Sequence, residues 1–477
     1  MKTLILALIL SLHSISSWSA EMLSLNDYLT EVKSGHEGFK AAMESMAGSE
    51  LRKDEYSLYI SPGIFASASH GSDAKPFSPP FVSYSKVIAD VYSIGVTQAT
   101  TFGLSAKLSY NFAYYNFVGL NNPSTGSALP PYYTGSPTLE LTQSLWKNGF
   151  GSEVRATMNA SQAGNLANQY AQSFRGKQIL SEAEAYFWRL VSARQILQVQ
   201  QEALERAQKI YDWNARRAKV QLTDKSDLLQ SEAAFEARKL EMQAAQDEEK
   251  AAALSFNMSR GKTGDAVTEK LTPISEEWID KLKVPTREKM RDDVKAAEQN
   301  QILAISNASL SVDKASPTLD LFGNFGLNSQ EFGGADAAFS NSFKTDRPTY
   351  TFGVRFSAAL APFTAVRARE GWRREQLAAE ITLQRRLFEQ EQDWTNSSRI
   401  FEENKRKLVF ARKIEAIQKT KANHERDRLK QGRTTTYQML LFEQDSAQAQ
   451  LATIRAQSEV LRIYSQLKLF QTSYGAE

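Results

Sequence analysis

The side chains that most often carry chemistry are scarce in this chain of 477 residues, and they are scattered where they occur. Cysteine is absent. That excludes disulfides, thiolate metal sites, a cysteine nucleophile and a lipid anchor on an N-terminal cysteine. The four histidines, His13, His36, His70 and His424, have no ligand-spaced partners and read as surface or packing residues. Gly149-Phe150-Gly151 begins a string of the dinucleotide-binding kind, but Val154 stands where its third glycine belongs. The simpler reading is a tight turn from a strand into a helix. Arg373-Arg374 and Arg385-Arg386 fall in helical sequence and read as a solvated face. With 57 basic against 54 acidic residues the net charge is +3, which leaves no surplus for a nucleic-acid partner. No nucleophile–base or metal constellation emerges, so neither an enzyme nor a cofactor is expected.

What the sequence does specify is long helices. From Gly149 to Leu222 there is no proline, and Tyr186, Leu190, Ala193, Leu197, Gln200, Leu204, Ala207 and Tyr211 alternate steps of four and three. This heptad seam keeps one stripe against a partner helix. About 70 residues at 1.5 Å each make a rod of roughly 105 Å. Thr364 to Gln431 has the same character, and one constant offset places Ala183, Leu190 and Leu197 on Trp394, Phe401 and Leu408. The same offset sets Leu229 on Leu440 and Glu232 on Glu443, and Val154-Arg155-Ala156 has a near counterpart in Val366-Arg367-Ala368. Internal duplication is the best account. Each rod ends in a tip, at about Val220 to Ser226 and Gly432 to Thr436, followed by a returning helix.

The N-terminus carries Lys2, an apolar run from Leu4 to Leu10, and small residues before Ala20. This pattern predicts a secretory signal peptide over residues 1–19, cleaved after Ser19 or Ala20. The mature chain then reads as a first repeat at 20–260, a connector at 261–285 and a second repeat at 286–477. Within the first repeat a helix is expected from Leu23 to about Tyr56. From Tyr59 to Trp146 the period falls to two, and eight of the thirteen prolines lie there. Ile94, Val96, Leu104, Leu108, Tyr110 and Phe112 alternate with Ser93, Thr97, Ser105, Lys107, Ser109 and Asn111. Phe102-Gly103 fits a hairpin turn and a continuous strand equally well. In the second repeat a helix from Thr286 to Lys314 leads to strand sequence after Pro317, a loop from Asn328 to Pro348, and a strand from Tyr350 to Leu360. Alternating strands of this kind suit a sandwich face or a membrane barrel, and the dense tyrosines and phenylalanines suit an interfacial girdle. No apolar run after the signal is long enough for a membrane helix.

Taken in order, these features resemble the TolC-like outer membrane efflux proteins over essentially the whole mature chain. Leu139-Glu140-Leu141-Thr142-Gln143-Ser144-Leu145-Trp146, with Asn148-Gly149 and Gly151, looks like that family's strand-to-rod transition. Ser316-Pro317-Thr318-Leu319 looks like its helix-to-strand corner, and Lys430-Gln431-Gly432-Arg433-Thr434 with Leu440 like its second tip. The resemblance implies a mostly α-helical fold with a β-barrel part: duplicated coiled-coil hairpins form a periplasmic α-barrel, and strands pool in a homotrimer. The four or so strands of one chain cannot close a barrel, and lipid does not tolerate open edges. It further implies location in the outer membrane with an extension into the periplasm, and passive export (efflux or type I secretion). The implied partners are a periplasmic adaptor (membrane fusion) protein and a proton-driven or ATP-driven inner-membrane transporter. Adaptor docking carries over to Val220, Gln221, Leu222 and Thr223 at the first tip and to Gly432, Arg433 and Thr434 at the second. Gln221 replaces the usual glycine. The family's periplasmic gate positions fall on Asp227, Gln438, Leu441 and Thr434 with Arg433 beside it, so the acidic ring is not expected and an Asp227–Arg433 contact is. The rival class is a structural or adhesive periplasmic coiled-coil protein without a pore, whose strands form a soluble sandwich.

Overall fold

The structure, a computed structural model, describes residues 22–75, 84–121, 126–221 and 224–474. The expected signal peptide lies outside them, as do Leu222 and Thr223 of the first tip. The first half contains β1 (Met22–Leu23), α1 (Leu25–Gly35), α2 (Glu37–Leu51), β2 (Gly63–Asp73), β3 (Lys86–Ala99), β4 (Leu104–Val118), β5 (Tyr132–Ser144), α3 (Ser152–Lys219) and α4 (Lys225–Ser259). There follow β6 (Lys270–Leu271) and α5 (Glu276–Lys281), then α6 (Asp292–Lys314), β7 (Thr318–Leu327), β8 (Ser329–Glu331), α7 (Ala335–Asn341), β9 (Pro348–Ser357), α8 (Pro362–Lys430) and α9 (Thr436–Leu467). The two rods are thus single helices of 68 and 69 residues. The second opens on a proline, the position where the ring's missing donor costs nothing.

Two compact units share these elements, one built from Met1–Ser45, Gln172–Asp292 and Phe388–Glu477, the other from Met46–Ala171 and Asp293–Leu387. The first unit is helical. Its core takes Tyr28 and Val32 from α1, Leu180, Ala183, Phe187 and Leu190 from α3, Phe256 from α4, Phe401 and Leu408 from α8, and Leu461 and Leu467 from α9. The heptad seam is therefore a buried seam: Leu190, Ala193, Gln200 and Ala207 are buried, and the positions between them are half-buried. A carboxylate is sunk in this core. Glu184 is fully buried, accepts from Lys468 Nζ at 3.0 and 3.1 Å, and accepts from the Tyr474 hydroxyl at 2.7 Å.

Two expectations in this unit change. The helix expected from Leu23 to Tyr56 breaks at His36, whose backbone is extended and whose Nδ1 accepts from Phe39 N at 3.1 Å to cap α2. Beside the break, Gly35 lets the Arg260 backbone approach, because a Cβ there would meet Arg260 O at 2.2 Å. The helix expected from Thr286 starts only at Asp292. Before it, Glu288 N bonds Phe470 O at 2.9 Å and Arg291 N bonds the Gln390 side chain at 2.6 Å, so tertiary acceptors take the donors a helix would use. Within residues 261–285, β6 pairs parallel with β1, and Ser275 caps α5.

The second unit is organised by a seven-stranded antiparallel sheet in the order β2-β3-β4-β5-β7-β9, with the short β8 pairing β5 beyond β7. Six strands traverse it, against the four or so expected. The added pair comes from Phe102–Gly103, which proves to be a turn: Thr100 N bonds Leu104 O at 3.0 Å and Gly103 takes φ +81°. The loop from Asn328 to Pro348 is ordered too, holding β8 and α7. No described helix is long and apolar enough to cross a membrane.

Candidate functional site

Register decides what the sheet presents. Reading across one row, Ile64 stands opposite Val96, Val96 opposite Leu108, Leu108 opposite Leu139, Leu139 opposite Phe325 and Phe325 opposite Tyr350. Neighbouring rows on the same face add Ile94, Tyr110, Leu141, Leu321, Phe352, Val354 and Phe356. Because side chains alternate strictly along a strand, every residue between these points the other way. That opposite face carries Ser67, Ser93, Thr97, Lys107, Ser109, Asn111, Thr138, Glu140, Asn324, Thr351 and Arg355. Its polar groups bond one another. Ser93 Oγ donates to Asn111 Oδ1 at 2.7 Å, and Lys107 Nζ meets Glu140 Oε1 at 3.3 Å.

Apart from Tyr110, on which Phe339 and Phe343 pack, the apolar face is bare where a soluble sheet would be covered. Ile94 and Leu108 are each 58% exposed, and Tyr350, Phe352, Val354 and Phe356 between 61 and 78%. Among the described residues the other sheet is the two-stranded β1–β6, which belongs to the helical unit. Toward the loop end aromatic rings gather: Phe112 stacks on Tyr133, Tyr133 meets Tyr114, and Phe339 and Phe343 pack on Tyr110.

The strand-to-helix turn after β5 is built as the spacing predicts. Asn148 and Phe150 take positive φ, and Asn148 Oδ1 accepts from Glu153 N and Val154 N at 3.1 and 3.2 Å, capping α3. Gly151 combines φ +81° with a backbone so close that a Cβ would sit 1.9 Å from Thr101 O. This is a steric junction between two hairpins, with no phosphate-binding geometry. His70 is a cross-strand partner of Asp90, with Nδ1 to Oδ1 at 2.6 Å. Among the described residues no cluster of potential metal ligands forms.

At the tips, in the helical unit, Val220 is exposed and Gln221 occupies the left-handed region at φ +59°. A glycine suits that conformation better, which is the physical meaning of the departure noted in sequence. Gly432 takes φ +70°, Arg433 N and O both bond Arg428, and Thr434 Oγ1 lies 3.3 Å from Gln438 Oε1. Asp227 lies in the first turn of α4, and Gln438 and the exposed Leu441 lie at the start of α9. One group at this end was missed in sequence. Glu443 is nearly buried and holds two arginines, Arg206 of α3 (Nε to Oε2, 2.9 Å) and Arg426 of α8. Close by, Thr436 Oγ1 reaches Asn214 Oδ1 at 3.3 Å. Glu443 therefore ties both rods to one returning helix.

No family model and no curated protein sequence matches the chain. Solved structures do. The CmeC outer membrane channel of Campylobacter jejuni aligns with a TM-score of 0.61 at 16% identity, covering 94% of this chain and 86% of that one. The outer membrane protein VceC of Vibrio cholerae gives 0.63 at 14%, covering 93% and 94%. The open state of the MtrE outer membrane channel of Neisseria gonorrhoeae gives 0.61 at 16%, covering 93% and 87%. The chain thus has the fold of the TolC-like outer membrane channels over most of its length.

Proposed function

We propose that this protein is the outer-membrane channel of a tripartite export system, acting as a homotrimer that conducts substrates passively outward. The observation that carries this reading is the largely exposed apolar face running across six strands, with a hydrogen-bonded polar face behind it. Such a sheet suits lipid on one side and water on the other. The aromatic cluster toward the loops suits the headgroup boundary. An assembly of copies is supported by α8, where Phe410, Ile414 and Ile417 follow heptad steps and are all exposed. Internal duplication accounts for the recurrence of strands, rod, tip and returning helix. The signal peptide at 1–19 delivers the chain across the inner membrane.

In this reading energy comes from an inner-membrane transporter through a periplasmic adaptor. The adaptor docks on Val220, Gln221, Leu222 and Thr223 and on Gly432, Arg433 and Thr434. Closure rests on helix packing around Asp227, Arg433, Gln438 and Leu441, helped by the Glu443 clamp. With Gln438 and Leu441 in place of acidic residues, multivalent cations are not expected to block the pore from the periplasmic side, and single-channel recording checks this. The parent proposal is tested on membranes from cells expressing the full chain. Heat-modifiable trimers released only by detergent support it. A monomer that is freely soluble without detergent overturns it in favour of a pore-free coiled-coil protein.

A further inference from the structure

We infer that each copy contributes six strands to the barrel, and that the barrel closes by pairing β9 of one copy with β2 of the next. The inference rests on the trimeric channel reading for the number of copies. Six strands from each of three copies make eighteen.

Four observations carry it. First, the β2–β3 hairpin is continuous with the rest of the sheet. β3 pairs β4 over its whole length, from Lys86 opposite Val118 to Ala99 opposite Ser105. Second, the hairpin shares the two faces of its neighbours. Ile64, Ala66 and Ala68 with Val96, Ile94 and Tyr92 extend the apolar face, while Ser67, Ser69, Ser93 and Thr97 extend the polar one. A hairpin held in water outside the barrel has no use for this division. Third, every strand is long enough to cross. β2, β3, β4, β5, β7 and β9 run 11, 14, 15, 13, 10 and 10 residues. A membrane-spanning strand needs about 9–11. The first hydrogen-bonded polar pair on the apolar face, His70–Asp90, falls toward the loop end, where headgroups and water begin.

Fourth, the edges fit each other. The pairing path starts at β2 and stops at β9, and each presents one side with no strand against it among the described residues. Because the strands are antiparallel and six is even, β2 and β9 run in opposite directions. A neighbour's β2 laid beside β9 therefore continues the alternation without a parallel step. Open edges of this length are not stable in lipid, so an occupant is required, and a second copy supplies the matching one. Barrel diameter grows roughly linearly with strand number, so eighteen strands give a mouth about 1.5 times as wide as twelve. Barrels of 16–18 strands leave an aqueous channel.

The absence of cysteine makes the seam directly testable, since any disulfide must join introduced residues. Thr351→Cys in β9 is combined in turn with Phe65→Cys, Ser67→Cys or Ser69→Cys in β2, and in a parallel set with Ser105→Cys, Lys107→Cys or Ser109→Cys in β4. Full-length double variants are oxidised in membranes and run without reductant, after each is checked for heat-modifiable trimers. Cross-linking of subunits through a β2 position, with none through β4, is the expected result. Cross-linking through β4 overturns the six-strand count while leaving the trimeric channel intact. Trimers with no β2 cross-link at any of the three positions also overturn it. Absence of trimers in the unmodified protein sinks the channel reading itself.

Discussion

Two residues show how little freedom the chain has at its junctions. Gly151 must be glycine twice over, for its positive φ and for the approach of Thr101 O. Gly151→Ala therefore adds backbone strain of about 1–3 kcal/mol and a clash that forces the β3–β4 turn aside. On the trimeric reading proposed above, the expected outcome is a marked loss of heat-modifiable trimer at unchanged expression, read on gels. Glu184 is the second case. A buried carboxylate stripped of its cation is worse than none, so Lys468→Met is expected to cost about 3–5 kcal/mol in thermal or denaturant unfolding. Burial, then the charge of Glu184 and the hydrogen bond to it, hold the Tyr474 hydroxyl well above its usual pKa. The folded protein thus keeps a proton that the unfolded chain releases near pH 10. Stability from this group is full below about pH 10 and falls as the pH climbs past it. Thermal unfolding of the detergent-solubilised protein between pH 8 and 11 is expected to steepen with pH, and Tyr474→Phe to flatten that slope. At the tips, Glu443→Gln releases Arg206 and Arg426, weakening the clamp by about 1.5–3 kcal/mol. If the clamp helps hold the aperture shut, single-channel conductance rises.

For elements, periodicity carried most of the information. The seams through Leu190 and Phe401 were legible because a heptad over many turns has one reading, and both residues are fully buried. The Asn148–Gly151 turn was legible because Asn148 and Gly151 are types that adopt positive φ; the positive φ of Phe150 was not. Other features were not. Phe102–Gly103 could not be resolved because a single glycine between two alternating runs fits a turn or a bulge, and pairing of β3 with β4 decides it. The close approach of Arg260 to Gly35 beside the helix break, and the Glu443 clamp that joins α3 to α9, link residues far apart in sequence; neither spacing is local. The tip residues were placed by resemblance, and Gln221 shows why types alone mislead: its left-handed backbone copies what a glycine would do. Strand faces supply a prediction at this scale. If the sheet spans lipid as proposed, Phe352→Lys puts a charge on its apolar face and is expected to cost about 2–4 kcal/mol near the bilayer midplane, whereas Thr351→Lys on the polar face is tolerated. Folding into lipid vesicles, followed by gel shift, separates the two.

At the scale of the molecule, a greasy panel and two bare hems make a single copy a poor traveller. On the proposed trimeric reading, between release from the secretion machinery and arrival at its siblings, each polypeptide crosses an aqueous compartment with Phe352, Val354 and Phe356 uncovered and β2 and β9 ready to zip onto any extended stranger. Biogenesis on that reading demands an escort that shields this surface and lets go only where the lipid waits, and overproduction beyond that escort's capacity is expected to end in clumps.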